Sequence, residues 1–326
     1  MRRLSLFIVL IGLAVVTNGQ DPHSKGIEQM RIWYNPALKT DTNSEAHVLL
    51  HKVNYPGILS TNNRSITLSL VFEPNIETVS PTVPFITLSA GINVDKASDN
   101  LLSASSAMLA LSYALPLDYN NTYLALGFQG NYSFNRVGVT GSYYNFPGDF
   151  DKFGAMYWAL RRDPTGSGYN KGYFTFNAGA AVFHTVEDQQ WYVGFSTRYI
   201  NRPYTEWDHI SALPVTYGVQ AGYTAPVNEN TQLSGYGNIS WVTGSSTSLP
   251  EQYIGLRVIR KIAVNESTAF HLSVGAGLNF NEALQPNVQL QWGRSLFAGY
   301  LDVNLPGIAS SVYTRRGFTL MYRYDL

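Results

Sequence analysis

Cysteine is absent from the 326 residues, which excludes a disulfide framework and any thiolate metal site. An exported protein of this sequence must draw its stability from sheet hydrogen bonding and packing. Charge is scarce as well. Asp, Glu, Lys and Arg make up 13% of the chain, roughly half the 25% of an ordinary globular protein. The 22 basic and 22 acidic residues cancel, so there is no basic excess to hold a nucleic-acid backbone. Beyond residue 16 no apolar run approaches the ~20 residues of a membrane helix, and a mean hydropathy of −0.09 is too polar for a helical membrane protein. What the chain does have is 28 Gly, 22 Tyr, 16 Phe and 6 Trp. Little charge, many aromatics and glycines, and neutral average hydropathy together fit a transmembrane β-barrel. In such a barrel apolar side chains face lipid and small or polar ones face the interior, so hydropathy cancels along each strand.

The first residues read as an export signal. Met1, Arg2 and Arg3 are followed by an almost wholly apolar stretch over 4–16, then by Thr17, Asn18 and Gly19 before Gln20-Asp21-Pro22. Charged region, apolar core and small-residue cleavage site occur in the order a secretory signal requires. The expected organisation is therefore a signal peptide at 1–19, an N-terminal segment at 20–45 without alternation, periplasmic or associated with the lumen, and a barrel over 46–326. No Cys follows the apolar core to carry a lipid anchor.

Period-two alternation is the strongest pattern in the chain. Leu124, Leu126, Phe128, Tyr132 and Phe134 alternate with Ala125, Gly127, Gln129, Asn131 and Ser133. The same holds over 174–182, 191–199 and 270–280, and shorter candidates fall at 46–53, 65–72, 86–94, 104–115, 215–223, 236–242, 253–262, 288–292, 296–304 and 311–315. A soluble sandwich also alternates, but its outer face would carry Lys and Glu, whereas here the face opposite the apolar one carries Gly, Ser and Asn. The spacing predicts an all-β, antiparallel outer-membrane barrel of about 14 strands (roughly 12 to 16), with an even number preferred. It must close, because an open edge in hydrocarbon leaves unpaired backbone groups at several kcal/mol each. The stretch 136–172, rich in Gly, Asp and aromatics, is the expected long extracellular loop.

Few residues suggest chemistry. Arg198, Arg257 and Arg323 lie on the polar side of their strands and are expected to face the lumen, since an Arg in lipid costs about 2–4 kcal/mol at mid-depth. His47 and His51 share a strand face with no obvious carboxylate or Cys beside them, which favours satisfied interior residues over metal ligands. Asp149 and Asp151 have the alternate spacing calcium accepts, without the rest of a calcium-loop pattern. The Gly-rich stretches at 127–130 and 275–277 sit inside strands with no following helix, so they read as close packing in the interior rather than phosphate loops. No Ser/His/acid set, cofactor motif or metal site emerges. The last residues, Tyr322, Tyr324 and Leu326, form an outward-facing terminal register of the kind an outer-membrane assembly machine recognises.

Several blocks carry a resemblance. Gln20-Asp21-Pro22-His23, Tyr34-Asn35-Pro36-Ala37 and Asn54-Tyr55-Pro56-Gly57-Ile58 are followed by Phe176-Asn177-Ala178-Gly179-Ala180, Tyr192-Val193-Gly194-Phe195-Ser196 and the terminal Tyr322-Arg323-Tyr324-Asp325-Leu326. In order and spacing they resemble the PorP/SprF family of outer-membrane proteins in the Bacteroidetes type IX secretion and gliding-motility apparatus. The chain departs from the family pattern at Ser24-Lys25-Gly26-Ile27-Glu28 and at His51-Lys52-Val53. The resemblance implies a non-catalytic component of the outer membrane that supports export or anchoring of cargo such as large adhesins. Its implied partners are periplasmic apparatus proteins, the cargo itself and outer-membrane lipid. Asn35, Pro36, Tyr55, Pro56 and Gly57 are the expected docking motif, at the periplasmic mouth. A porin-like or hydrophobic-substrate channel is the alternative.

Overall fold

A computed structural model describes residues 31–55, 59–73, 82–97, 102–117, 121–137, 169–186, 189–204, 212–243, 251–265, 268–280, 283–303 and 316–326. One helical turn, α1 (Arg31–Tyr34), precedes fourteen strands. The first seven are β1 (Glu45–Tyr55), β2 (Leu59–Phe72), β3 (Phe85–Ala97), β4 (Leu102–Pro116), β5 (Thr122–Val137), β6 (Tyr169–Val186) and β7 (Gln189–Arg198). The rest are β8 (Thr216–Asn228), β9 (Thr231–Val242), β10 (Glu251–Asn265), β11 (Thr268–Asn279), β12 (Ala283–Trp292), β13 (Ser295–Val303) and β14 (Arg316–Asp325). Each strand pairs antiparallel with the next, and β14 returns to β1 from Glu45↔Asp325 to Asn54↔Arg316. The barrel is closed. The Leu326 amide donates to the Ser44 carbonyl at 2.8 Å, fastening the chain end beside the start of β1.

The faces follow the alternation. Leu126, Phe128, Leu256, Val274 and Leu320 are more than half exposed on the outside, while Gln129, Asn177, Gln285 and Thr319 are buried inside. Exposed aromatics gather near both ends of this apolar band, with Phe72, Tyr113, Tyr223, Trp292 and Tyr324 at one and Phe134, Phe174, Trp241 and Phe318 at the other. Such girdles mark the two membrane interfaces. Polar interior side chains satisfy one another across strands. Gln129 donates to Asn131 Oδ1 at 2.7 Å, Asn131 to Thr175 Oγ1 at 3.1 Å, and Gln285 to Asp302 Oδ1 at 2.8 Å.

Connections divide by end. Those beside the chain termini include two-residue turns at 187–188, 229–230, 266–267 and 293–294, whereas the opposite end carries 138–168, 199–215 and 304–315. Outer-membrane barrels keep short turns in the periplasm and long loops outside, so the end carrying both Glu45 and Leu326 is the periplasmic one.

Strands run further than alternation suggested. β5 continues to Val137 and β6 begins at Tyr169, so the connection between them is 138–168 rather than 136–172. Pairing persists past the lipid-facing band because backbone groups still hydrogen-bond where side chains no longer alternate. The candidate strand at 311–315, the signal peptide, and Asp149 and Asp151 all fall outside the described residues.

Candidate functional site

The lumen is occupied by the chain's own N-terminal segment. Pro36 fixes its φ and disfavours helix at the residue before it, so α1 stops at Tyr34 and Asn35 leaves the helical path. The Ala37 amide donates to Asn35 Oδ1 at 2.9 Å and the Leu38 amide to the Asn35 carbonyl at 3.1 Å, folding the chain tightly over Pro36. Asn35 and Ala37 are completely buried and Leu38 nearly so.

Glycines in the wall make this possible. A Cβ on Gly127 would come within 2.5 Å of the Pro36 backbone, and one on Gly194 within 2.7 Å of Asn35 Nδ2. Gly179 faces Asn35 Oδ1 even more closely. With no side chains there, the Asn35 carboxamide reaches the sheet itself. Its Nδ2 donates to the Phe195 carbonyl at 3.2 Å, the Ala180 carbonyl at 3.4 Å and Gln220 Oε1 at 3.0 Å. Further up, Gly91 leaves room for the Trp33 ring, whose Nε1 donates to Thr67 Oγ1 at 2.8 Å. The wall's inward glycines are the socket.

Apolar and charged contacts complete the seat. Ala37 and Leu38 pack into a cluster of Phe85, Tyr123, Phe183 and Tyr192 at the periplasmic ends of β3 to β7. Phe85 meets Tyr123 edge-on at 5.4 Å and Tyr123 stacks on Phe183 at 5.2 Å. The Arg31 guanidinium lies 4.4 Å from the centre of the Tyr192 ring and donates to Thr40 Oγ1 at 2.9 Å. Thr40 in turn accepts from Thr185 and Gln190 through its carbonyl. Lys39 is buried between Asp41 and Glu45, the latter at 3.1 Å. These contacts run from β2 to β8; between the plug and the far wall lies a cavity of about 210 Å³.

The three arginines all turn inward. Arg198 is buried with its guanidinium 5.8 Å from the Tyr34 ring, Arg257 donates to Gln289 Oε1 at 2.7 Å, and Arg323 pairs with Asp325 at 3.0 Å. His51 Nδ1 sits 2.8 Å from Thr319 Oγ1. His47 lies 3.1 Å from Glu45, which corrects the expectation that no carboxylate stands beside it: Glu45 is two residues earlier on the same strand face. Among the described residues no group of His, Asp and Glu is arranged to hold a metal. Tyr324 and Leu326 face outward, and Tyr322, on the same register, meets Ser295 at 3.2 Å and the Phe297 ring.

The docking motif does not form one patch. Asn35 and Pro36 are inside the lumen near the periplasmic end, whereas Tyr55 pairs with Leu59 at the opposite, long-loop end. Pro56 and Gly57 are outside the described residues, but their neighbours exclude the shared periplasmic mouth that sequence suggested. An eleven-residue β1 carries the chain from one end of the barrel to the other.

A closed barrel with a lipid-facing apolar band and a lumen partly filled by its own N-terminal segment defines a plugged outer-membrane β-barrel. The chain belongs to the PorP/SprF family: the family described as "Type IX secretion system membrane protein PorP/SprF" matches residues 16–324. Among solved structures it is similar to the toluene transporter TodX of Pseudomonas putida, at 7% identity, 96% coverage of each chain and a TM-score of 0.49. It is also similar to the toluene transporter TbuX of Ralstonia pickettii, at 9% identity, covering 90% of this chain and 93% of that one, with a TM-score of 0.48. The translocator domain of the autotransporter NalP from Neisseria meningitidis is similar at 9% identity, with 100% and 95% coverage and a TM-score of 0.42. A search of curated proteins finds no match.

Proposed function

We propose that this type IX secretion membrane protein is a non-catalytic adaptor, which supports export or surface anchoring of particular cargo such as adhesins rather than passing solutes. One observation carries the reading: residues 31–41 fill the β2-to-β8 side of the lumen and are held by fitted contacts. A diffusion channel needs an open path, whereas an adaptor needs a rigid body in the membrane with two defined faces. The periplasmic face, where the plug and both strand termini meet, is the side available to apparatus proteins. The long-loop face, with Tyr55 and the connections at 138–168 and 304–315, is the side available to cargo at the surface.

The test is deletion of the gene, with paired measurement of surface-displayed cargo and small-solute uptake in the same cells. Lost display with unchanged uptake is the expected result. Unchanged display with reduced uptake would replace the adaptor by a channel.

A further inference from the structure

We propose that the cavity between the plug and the far wall is a binding site for a small oxyanion of the phosphate class. Four cationic side chains line it, Arg31 and Lys39 from the plug and Arg257 and Arg323 from β10 and β14, against the carboxylates of Asp41 and Glu45. Asp325, paired with Arg323 just beyond the lining, reduces the excess from two positive charges to one. Both lining carboxylates share Lys39, and Glu45 is also held by His47. The acidic groups are therefore spent on the plug's own lysine, while two arginines stand on the opposite wall. His47 Nδ1 is buried without a hydrogen-bond partner in the same cavity.

The remaining lining is rich in neutral donors. Gln232, Gln289, Gln291, His271, Ser273 and Ser69 project into the space. Arginines with amide and hydroxyl donors around a confined volume are what recognise a tetrahedral oxyanion, because planar guanidinium forks match its oxygens and charge-assisted bonds strengthen away from bulk water. At about 210 Å³ the space is below the ~300–1,000 Å³ of sites for drug-sized ligands. It suits phosphate itself or a short phosphorylated group. Because plug and wall both contribute cations, an anion bound there bridges them, and its binding must favour the seated plug by linkage.

The experiment uses the full mature chain, folded in an uncharged detergent, and titrates inorganic phosphate by calorimetry with thermal unfolding in parallel. Saturable binding with a rise in unfolding temperature is expected. Arg257→Gln should weaken it about tenfold or more, as the loss of a charge-assisted bond implies, and Arg257→Lys should lie between. Arg260→Gln, on the outward face of the same strand, is exposed and should leave it unchanged. An unboiled-gel shift confirms that each variant is folded. A short-chain phosphatidylglycerol is titrated alongside: a response to phosphate identifies a soluble ligand, and a response to the lipid alone identifies a headgroup. Either supports an oxyanion site. No response to either ligand, or equal binding by the folded Arg257→Gln variant, overturns it.

Discussion

At the scale of single residues, the plug depends on a pairing between one asparagine and absent side chains. Asn35 is the only plug residue whose side chain donates to wall backbone in the contacts described, and it can do so because positions 179 and 194 carry no Cβ. Asn35→Asp keeps the shape but replaces a donor with an oxygen facing the carbonyls of Ala180 and Phe195, so it should unseat the segment more than Asn35→Ala. The alanine variant should cost roughly 1–3 kcal/mol of seating, the usual penalty for stranding buried partners. Because the chain contains no Cys, a single Ala37→Cys reports seating directly. That thiol should resist a membrane-impermeant maleimide in the parent and react in the Asn35→Asp background. Gly194→Val should give the same exposure with Asn35 intact, since a Cβ there meets Asn35 Nδ2 at 2.7 Å and Leu38 at 3.2 Å. Continued protection in both variants would mean that the socket does not hold the plug.

At the scale of strands, β14 is the element on which closure rests, since it joins both β13 and β1. Leu320 is 53% exposed on its outer face and Thr319 fully buried on its inner one. Leu320→Arg should destabilise the folded barrel by about 2–4 kcal/mol near mid-depth, read by denaturant unfolding in lipid vesicles. Leu326→Asp, at the periplasmic rim, should lower the amount of folded barrel in the membrane while leaving synthesis unchanged. Normal assembly of the Leu326→Asp variant would contradict an assembly role for the terminal register. Strands of this kind were legible because a two-residue period separates lipid from lumen, as Leu126 and Phe128 against Gln129 and Asn131 show. Their ends were not, because β6 extends to Tyr169 where backbone pairing outlasts hydrophobic contrast. The plug was legible only in part. Gly127 signalled close packing in the interior, but residues 31–41 have no period, and nothing local in the sequence says that Asn35 meets residues 145 and 160 positions away.

At the scale of the whole molecule, the barrel and its plug divide the work of an adaptor between a rigid wall and a segment that starts in the periplasm. The wall is continuous, with every strand paired on both sides. Its one local lapse lies at Pro286, which has no N–H to give, where β12–β13 pairing skips from Leu284↔Val303 to Asn287↔Tyr300. Removing the plug therefore should not unravel the barrel, because strand hydrogen bonds and the lipid-facing band do not depend on it. Replacing residues 31–40 with a Gly/Ser linker of equal length should leave a heat-modifiable barrel in the outer membrane, yet change what the molecule does there. The parent should be silent in a planar bilayer and the linker variant should conduct, since α1, Trp33 and the Asn35–Leu38 turn no longer occupy the β2-to-β8 side. Cargo display should fall in the same variant, because the periplasmic face loses the ordered segment beside Glu45 and Leu326. A parent that already conducts as well as the linker variant would show that the plug does not close the lumen, and would favour the channel reading.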